Sequence, residues 1–335
     1  MTLFFRNALM QSDDQQALRL LQVYFMRRFL LLALGMGLLL TKPVYSEPDK
    51  LLFVDAHSQL PNSQLSDEII HLLNQAGIKK VILSHRRLAK NKDILTLSDK
   101  YPNRVFPIIK TKGKKWKEGD YNKFTKNIER KLKKGKYYGL GEAILFHAAK
   151  GKDGLAAPEV NVSTSSDQFI YLLGKARERN WPLPIHIEFR SVNNFSKRMK
   201  ELENILDNNK DISFPLMHMG QLDTENVSRL IENHKNVYFM MSQAHAREGK
   251  RKEWSQPWTT LFSKNNKRIK DEWKNLLIKY PDRFIFCIDA VWPRNWSKHY
   301  VKRVNLWRKA LKELPQSVVE QIAYKNAERL WDLTN

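Results

Sequence analysis

Five side chains of metal-ligand type stand one by one at the ends of apolar segments. They are His57 in VDAHSQ, Glu142 in GLGEA, His186 in LPIHIEF, His218 in FPLMHMG and Asp289 in FCIDAVWP. Imidazole nitrogens and carboxylate oxygens are ligands that Zn²⁺ accepts at about 2.0 to 2.2 Å. A bound divalent ion would lower the pKa of a water toward about 7 and polarise a carbonyl, leaving Asp289 to accept the proton as general base. The residues therefore predict metal-dependent hydrolysis.

The prediction depends on the ordered set, because a single histidine on an apolar strand is usually a hydrogen-bonded core residue. The sequence contains no GxSxG, P-loop or CxxC motif that would indicate another chemistry. Glu188, two residues beyond His186, and His245, in SQAHAR, are predicted to contact a substrate; for His245 the alternative is an exposed loop side chain. His147 is expected to have a solvated or packing role.

The segments that carry these residues have the pattern of buried strands. Eight apolar runs rich in Val, Ile, Leu and Phe occupy 51–55, 80–84, 105–109, 138–145, 182–188, 213–219, 237–242 and 283–289. Stretches with helical spacing lie between them, among them 66–77, 167–180, 225–234 and 271–280. This alternation predicts a parallel sheet, and eight repeats favour a closed (β/α)8 barrel of the TIM type, whose strand ends converge on one face. The alternative, an open doubly wound sheet, usually has a Gly-rich phosphate loop that VDAHSQLPNS lacks.

The N-terminal region has a different character and divides the chain into three predicted parts. Residues 1–25 form an upstream extension, 26–46 a signal peptide and 47–335 the barrel. Arg27 and Arg28 precede an apolar run at 29–40, which is shorter than the roughly 20 residues of a membrane span. The pattern predicts an exported protein, periplasmic or secreted, with a permanent anchor as the alternative. Because an acid-containing stretch before a signal peptide is unusual, we hypothesise that Met26 is the initiator.

The net charge of +23 suggests anionic partners such as nucleic acid, an acidic envelope surface or acidic substrates. The densest basic run, 110–136, contains an apolar helical stripe of Phe124, Ile128 and Leu132, so its lysines are expected to form a solvated face. Because no nucleic-acid-binding motif accompanies the run, we expect at most weak polyanion binding. The single cysteine, Cys287, lies two residues before Asp289 on one side of a strand, where core packing is expected.

These motifs resemble those of the amidohydrolase superfamily, in its amidohydrolase-related branch of metal-dependent β/α-barrel hydrolases. The resemblance runs from Leu51 to Leu333 and rests on D-x-H (Asp55, His57), the GxGE of 139–142, His186, the H-x-G of His218, Asp289 and the closing NAERLWDL. It implies hydrolysis of an amide, ester or lactone-like bond of a small molecule, or in some members decarboxylation, with one or two divalent ions. By resemblance Glu142 matches a bridging ligand, His186 and His218 match ligands of the second metal, and Asp289 matches the base.

The first strand departs from the family pattern. The family has H-x-H there, whereas this chain has His57-Ser58-Gln59. Gln59 faces the same way as His57 but offers only a neutral amide oxygen, a poorer partner for Zn²⁺. We therefore expect one Zn²⁺-like ion rather than two, with Gln59 binding substrate or a water. The alternative function is a non-catalytic barrel whose basic surface binds an anionic envelope component.

Overall fold

The computed structural model describes residues 51–150, 157–244, 259–263 and 268–333. The predicted upstream extension, the predicted signal peptide and His245 lie outside these residues. None of the helices in the described ranges is long and apolar enough to cross a membrane.

The apolar runs form short strands that are almost entirely buried, because Val, Ile and Phe pack well on both faces of a covered sheet. In the described residues the strands are β1 (Phe53–Leu60), β2 (Ile78–His85), β3 (Val105–Pro107), β4 (Ala143–His147), β5 (Val160–Asn161), β6 (Ile185–Ile187), β7 (Phe214–Leu216), β8 (Val237–Met240) and β9 (Phe284–Ile285). Each of the eight predicted runs overlaps one of them. The additional strand is β5, which pairs antiparallel with β4.

The strands pair in two sheets, in the orders β1-β2-β3 and β5-β4-β6-β7-β8-β9. Apart from β5, the paired strands of the described residues run parallel. Backbone hydrogen bonds join the two sheets at both sides. Ile109 N donates to Gly139 O at 2.9 Å, and Gly141 N donates to Ile109 O at 2.6 Å. On the other side Asp289 N donates to His57 O at 2.8 Å, so the segment after β9 lies beside β1.

Helices follow most of the strands and cover the sheets. Those in the described residues are α1 (Ser66–Ala76), α2 (Asn91–Lys100), α3 (Lys114–Lys117), α4 (Tyr121–Leu132), α5 (Asp167–Arg179), α6 (Phe195–Asn208), α7 (Thr224–Asn233), α8 (Asp271–Lys279), α9 (Lys298–Leu311), α10 (Gln316–Glu320) and α11 (Asn326–Leu330). The predicted helices 66–77, 167–180, 225–234 and 271–280 are confirmed as α1, α5, α7 and α8, within one residue at each end.

Two apolar clusters form the core. The larger one packs strand residues against the helices, and the smaller one lies among the strands and includes Ile285 and Cys287, which confirms that Cys287 is a core residue. In β1 the register with β2 shifts between Asp55 and Ser58. As a result Asp55 accepts a hydrogen bond from Tyr300 of α9 at 2.8 Å, while His57, two residues on, faces Asp289. A bulge of this kind re-aims side chains next to a site.

Candidate active site

Asp289 is the centre of a buried group of imidazoles. Its Oδ1 lies 3.6 Å from His57 Nε2, and its Oδ2 lies 3.9 Å from His218 Nε2. The ring of His186 is next in the group, with its centroid 5.0 Å from that of His218 and the two planes at 82°. The structure therefore brings together four of the five predicted ligands, from β1, β6, the turn after β7 and the segment after β9.

The backbone is strained where it presents this group. His218 has φ 54°, Asp289 has φ 56° and Gln243 has φ 61°, all in the left-handed region. For residues other than glycine such conformations cost on the order of 1 to 3 kcal/mol each and concentrate at functional sites. Gln243 Nε2 donates to Asp289 Oδ2 at 3.4 Å. His218 and Asp289, whose side chains lie 3.9 Å apart, thus both have this uncommon backbone conformation.

His57 and His218 are neutral and the carboxylate of Asp289 is ionised at neutral pH. Burial lowers the pKa of His57 to about 4 and that of His218 to about 3. For Asp289, burial alone would raise the pKa, but the electrostatic interactions with His218, His57 and Lys112 outweigh it and hold the pKa below its usual value. Neutral imidazole and ionised carboxylate are the protonation states that bind metal ions.

The ring nitrogens on the far side of two histidines are held by neighbouring groups. His186 Nδ1 donates to Glu142 Oε2 at 2.9 Å, and His218 Nδ1 lies 2.8 Å from Ser242 Oγ. His57 Nδ1 is buried without a hydrogen-bond partner among the described residues. Such outer partners fix which nitrogen keeps a free lone pair, and for His186 that nitrogen is Nε2.

Glu142, the remaining predicted ligand, is occupied by other groups. Its Oε1 contacts Lys112 Nζ, and its Oε2 accepts the bond from His186. Glu142 therefore orients His186 and balances the charge of Lys112. Burial lowers the pKa of Lys112 to about 7, against the opposite effect of Asp289.

Lys112 is a site residue that the sequence analysis missed, because it belongs to the basic run 110–136 that was expected to form a solvated face. Most lysines of that run are exposed, but the side chain of Lys112 is only 17% exposed. Its position just after a strand, where barrel enzymes place functional groups, was the signal that could have identified it.

A second cluster of polar groups lies beside His186. His147, His186 and Glu188 each offer a ligand-type atom within 4.8 Å of the others. The expectation for His147 was wrong, since it ends β4 and its Nε2 lies 3.9 Å from Glu188 Oε1. Glu188, a predicted substrate contact, is buried, and Lys150 Nζ lies 2.7 Å from both of its oxygens.

Gln59, also a predicted substrate contact, is buried between His57 and Arg86. Its Nε2 lies 3.5 Å from His57 Nε2, and its Oε1 accepts a hydrogen bond from Arg86 Nη1 at 3.4 Å. In this position the amide lies beside the group around Asp289 and connects that group to the guanidinium of Arg86.

The fold and site define the class of the protein: an α/β protein of parallel strands with imidazoles and a carboxylate gathered at strand ends. The sequence profile of the family described as Amidohydrolase matches residues 89–333. The chain belongs to this amidohydrolase family, and the predicted family is confirmed. The match begins after β1, so His57 and Gln59 precede it.

Solved structures with a similar fold include an uncharacterised TIM-barrel protein, Bb4693, from Bordetella bronchiseptica. Its TM-score is 0.55 at 12% identity, over 84% of this chain and 99% of that chain. Another is 4-oxalomesaconate hydratase from Rhodopseudomonas palustris, with a TM-score of 0.53 at 13% identity over 84% of this chain and 96% of that chain. At these identities the similarity concerns the fold. A search of the curated proteins found no match.

Proposed function

We propose that this protein is a metal-dependent hydrolase of an amide, ester or lactone-like bond, with Asp289 as general base. The observation that carries the proposal is the approach of two histidine Nε2 atoms to the Asp289 carboxylate, at 3.6 and 3.9 Å. Two ligands that bind one ion at about 2.0 to 2.2 Å lie about 3 to 4 Å from each other in tetrahedral geometry. Each of the two histidine–carboxylate distances, which go to different oxygens of Asp289, falls within this range.

His57, His218 and Asp289 would hold the ion, with the ring of His186 next to that of His218 and its Nε2 3.4 Å from Glu188 Oε1. A divalent ion supplies a Lewis acid for a carbonyl and lowers the pKa of water toward about 7. Asp289, ionised at neutral pH and held by Gln243, would accept the proton of the attacking water and return it to the leaving group. We propose a single Zn²⁺, because the donors are mainly imidazoles, Glu142 is paired with Lys112, and Gln59 offers only an amide.

The cluster of His147, His186 and Glu188 is the less suitable position for that ion. Lys150 Nζ contacts both oxygens of Glu188, so an ammonium already supplies the positive charge that the carboxylate needs. The charge of Lys150 would also repel a divalent ion placed there. No comparable cation touches Asp289 among the described residues.

The metal content of the purified protein tests the proposal. We expect about one Zn²⁺ per chain by elemental analysis, lost in His218→Ala and kept in His299→Ala, an exposed histidine of α9. Asp289→Asn should keep much of the ion, because the amide preserves the shape, and should lose hydrolysis of p-nitrophenyl acetate, because it cannot accept the proton. A wild-type protein without stoichiometric metal, even after incubation with Zn²⁺, Mn²⁺ or Fe²⁺, would contradict the proposal. The non-catalytic barrel that binds an anionic envelope component would then be the better account.

We also propose that the eight parallel strands close into one (β/α)8 barrel. The support is the pair of seams at which the two sheets exchange backbone hydrogen bonds, between Ile109 and 139–141 and between His57 and Asp289. Closure would bring all the strand ends to one rim, which is the arrangement that the proposed ion requires.

Export is proposed from the sequence pattern of residues 26–46. Expression of the full chain should yield a mature protein that begins near Glu47 and is recovered outside the cytoplasm. N-terminal sequencing of each cell fraction provides the measurement. Uncleaved protein in the membrane fraction would indicate an anchor instead.

A further inference from the structure

Two arginines stack on Trp292, three residues beyond Asp289. The guanidinium carbon of Arg86 lies 4.6 Å from the centre of the Trp292 ring, and that of Arg87 lies 4.0 Å from it. Stacking on an aromatic face holds a guanidinium in a fixed plane. Arg87 has φ 52°, so the loop after β2 is also strained where it presents these side chains.

In the described part of the chain, these two arginines and the nearby Lys110 have no ion pair. Among the described residues, neither Arg86, Arg87 nor Lys110 has a carboxylate oxygen within 4.0 Å, and only Lys112 is paired, with Glu142. Arg86 Nη1 donates to Gln59 Oε1, whereas Arg86 Nε is buried with no hydrogen-bond partner in the part of the chain that the structure describes. A buried donor without an acceptor costs about 1 to 3 kcal/mol, more when charged, unless a ligand satisfies it.

The cations also act on one another. Burial lowers the pKa of Arg86, and the charge of Arg87 lowers it further, against the attraction of Asp289. Burial likewise lowers the pKa of Lys110, and the charge of Arg86 adds to the effect. An anion between these groups would relieve their repulsion.

We propose that Arg86 binds a carboxylate group of the substrate beside Asp289. The edge of the guanidinium formed by Nε and Nη2 is the free one, since Nη1 is directed to Gln59, and two parallel N–H donors match the two oxygens of a carboxylate. The placement of this carboxylate next to the scissile bond rests on the proposed function. Its binding does not require the metal.

Ligand binding to metal-free protein tests the inference. Metal is removed from the protein with EDTA, and the protein is titrated at constant ionic strength with benzoate and with benzamide, the neutral isostere of benzoate. Binding is followed by calorimetry or ligand-observed NMR. Benzoate should bind about tenfold more tightly than benzamide, because charge-assisted bidentate bonds form only with the carboxylate. Arg86→Gln should remove the difference, and Arg86→Lys should remove most of it. Arg130→Gln, an exposed arginine of α4, is the matched control and should keep it.

Each result decides the inference. Equal binding of benzoate and benzamide, or unchanged benzoate binding in both Arg86 variants, would overturn it. Tighter binding of inorganic phosphate than of benzoate would also overturn it and would assign the group to a phosphate ester. Thermal melting of each variant shows whether it is folded, and if Arg86→Gln is unfolded, Arg86→Lys replaces it and should remove most of the preference for benzoate. Failure of the proposed function would appear separately, as absence of Zn²⁺ in protein that still binds benzoate.

Discussion

Lys112 and Glu142 form an ion pair inside the candidate active site, with side chains 17% and 5% exposed. Compared with apolar residues of similar volume, buried ion pairs add little to the free energy of unfolding. Removal of one partner nevertheless destabilises the fold, because the other charge stays buried and unpaired. Because Glu142 also holds His186, the pair fixes the orientation of an imidazole next to the proposed ion. Lys112 thus affects both the stability of the fold and the geometry of the site.

Lys112→Met should lower the free energy of unfolding by roughly 2 to 4 kcal/mol, because it leaves the Glu142 carboxylate without its cation. The double variant Lys112→Met with Glu142→Gln should recover much of that loss, as urea unfolding of the four proteins in the cycle would measure. Lys114→Met is the control, since the side chain of Lys114 is 83% exposed. A double variant as unstable as the sum of both single variants would show that the pair has no coupling.

At the scale of elements, the seam between β3 and β4 depends on a close backbone approach. A Cβ on Gly141 would lie 3.1 Å from the carbonyl oxygen of Ile109, and Gly141 N donates to that same oxygen. The contact is with backbone, which cannot rotate away as a side chain can. The glycine before Glu142 is therefore required by the pairing of strands.

Gly141→Ala should lower the free energy of unfolding by about 1 to 3 kcal/mol, because the new methyl group overpacks the seam. Gly174→Ala is a matched control in α5, where a Cβ would meet nothing within 4 Å, and it should raise stability by about 1 kcal/mol because alanine favours the helix. Denaturant unfolding of both variants measures the difference. A Gly141→Ala variant at least as stable as the wild type would show that the seam tolerates a side chain.

At the scale of the whole molecule, the buried histidines determine the response to acid. Burial lowers the pKa of His57, His85 and His147 to about 4 and that of His218 to about 3. In the unfolded chain these histidines would bind protons near pH 6.5, so below that pH the unfolded state binds more protons than the folded state. The stability that they contribute is therefore present above pH 6.5 and is lost as pH falls toward 4.

Asp55 has the opposite effect. Burial raises the pKa of Asp55 to about 6, so the folded protein binds a proton at this carboxyl group before the unfolded chain does. The contribution of Asp55 to the free energy of unfolding therefore increases as the pH falls below that value. The effect of the four histidines on stability is larger than that of the one carboxyl group. We therefore expect the urea concentration at the unfolding midpoint of metal-free protein to decrease when the pH is lowered from 7 to 4.5. His85→Gln, which changes a histidine not assigned to the ion, should make that fall shallower. A midpoint independent of pH over this range would contradict the assignment of neutral buried histidines.

The sequence by itself determined the elements and the family. Hydrophobic periodicity is a local property, so the positions of eight strands and the bounds of four helices could be predicted, those of α1, α5, α7 and α8. The order of the ligand-type residues along the sequence indicated the amidohydrolase family. The residues around Asp289 followed from the rule that parallel strands present their carboxyl ends on one side.

Only the tertiary structure decided which of these side chains meet. Several features of the site involve residues that are far apart in the chain. They are the register shift of β1 against β2, the approach of His218 to Asp289, the ion pair of Lys112 with Glu142 and the stacking of Arg86 on Trp292. Patterns of hydrophobicity specify which face of an element is buried, but not which charged groups on different elements pair. Those pairings arise from packing, since a buried charge must find a partner among the groups that the fold places beside it.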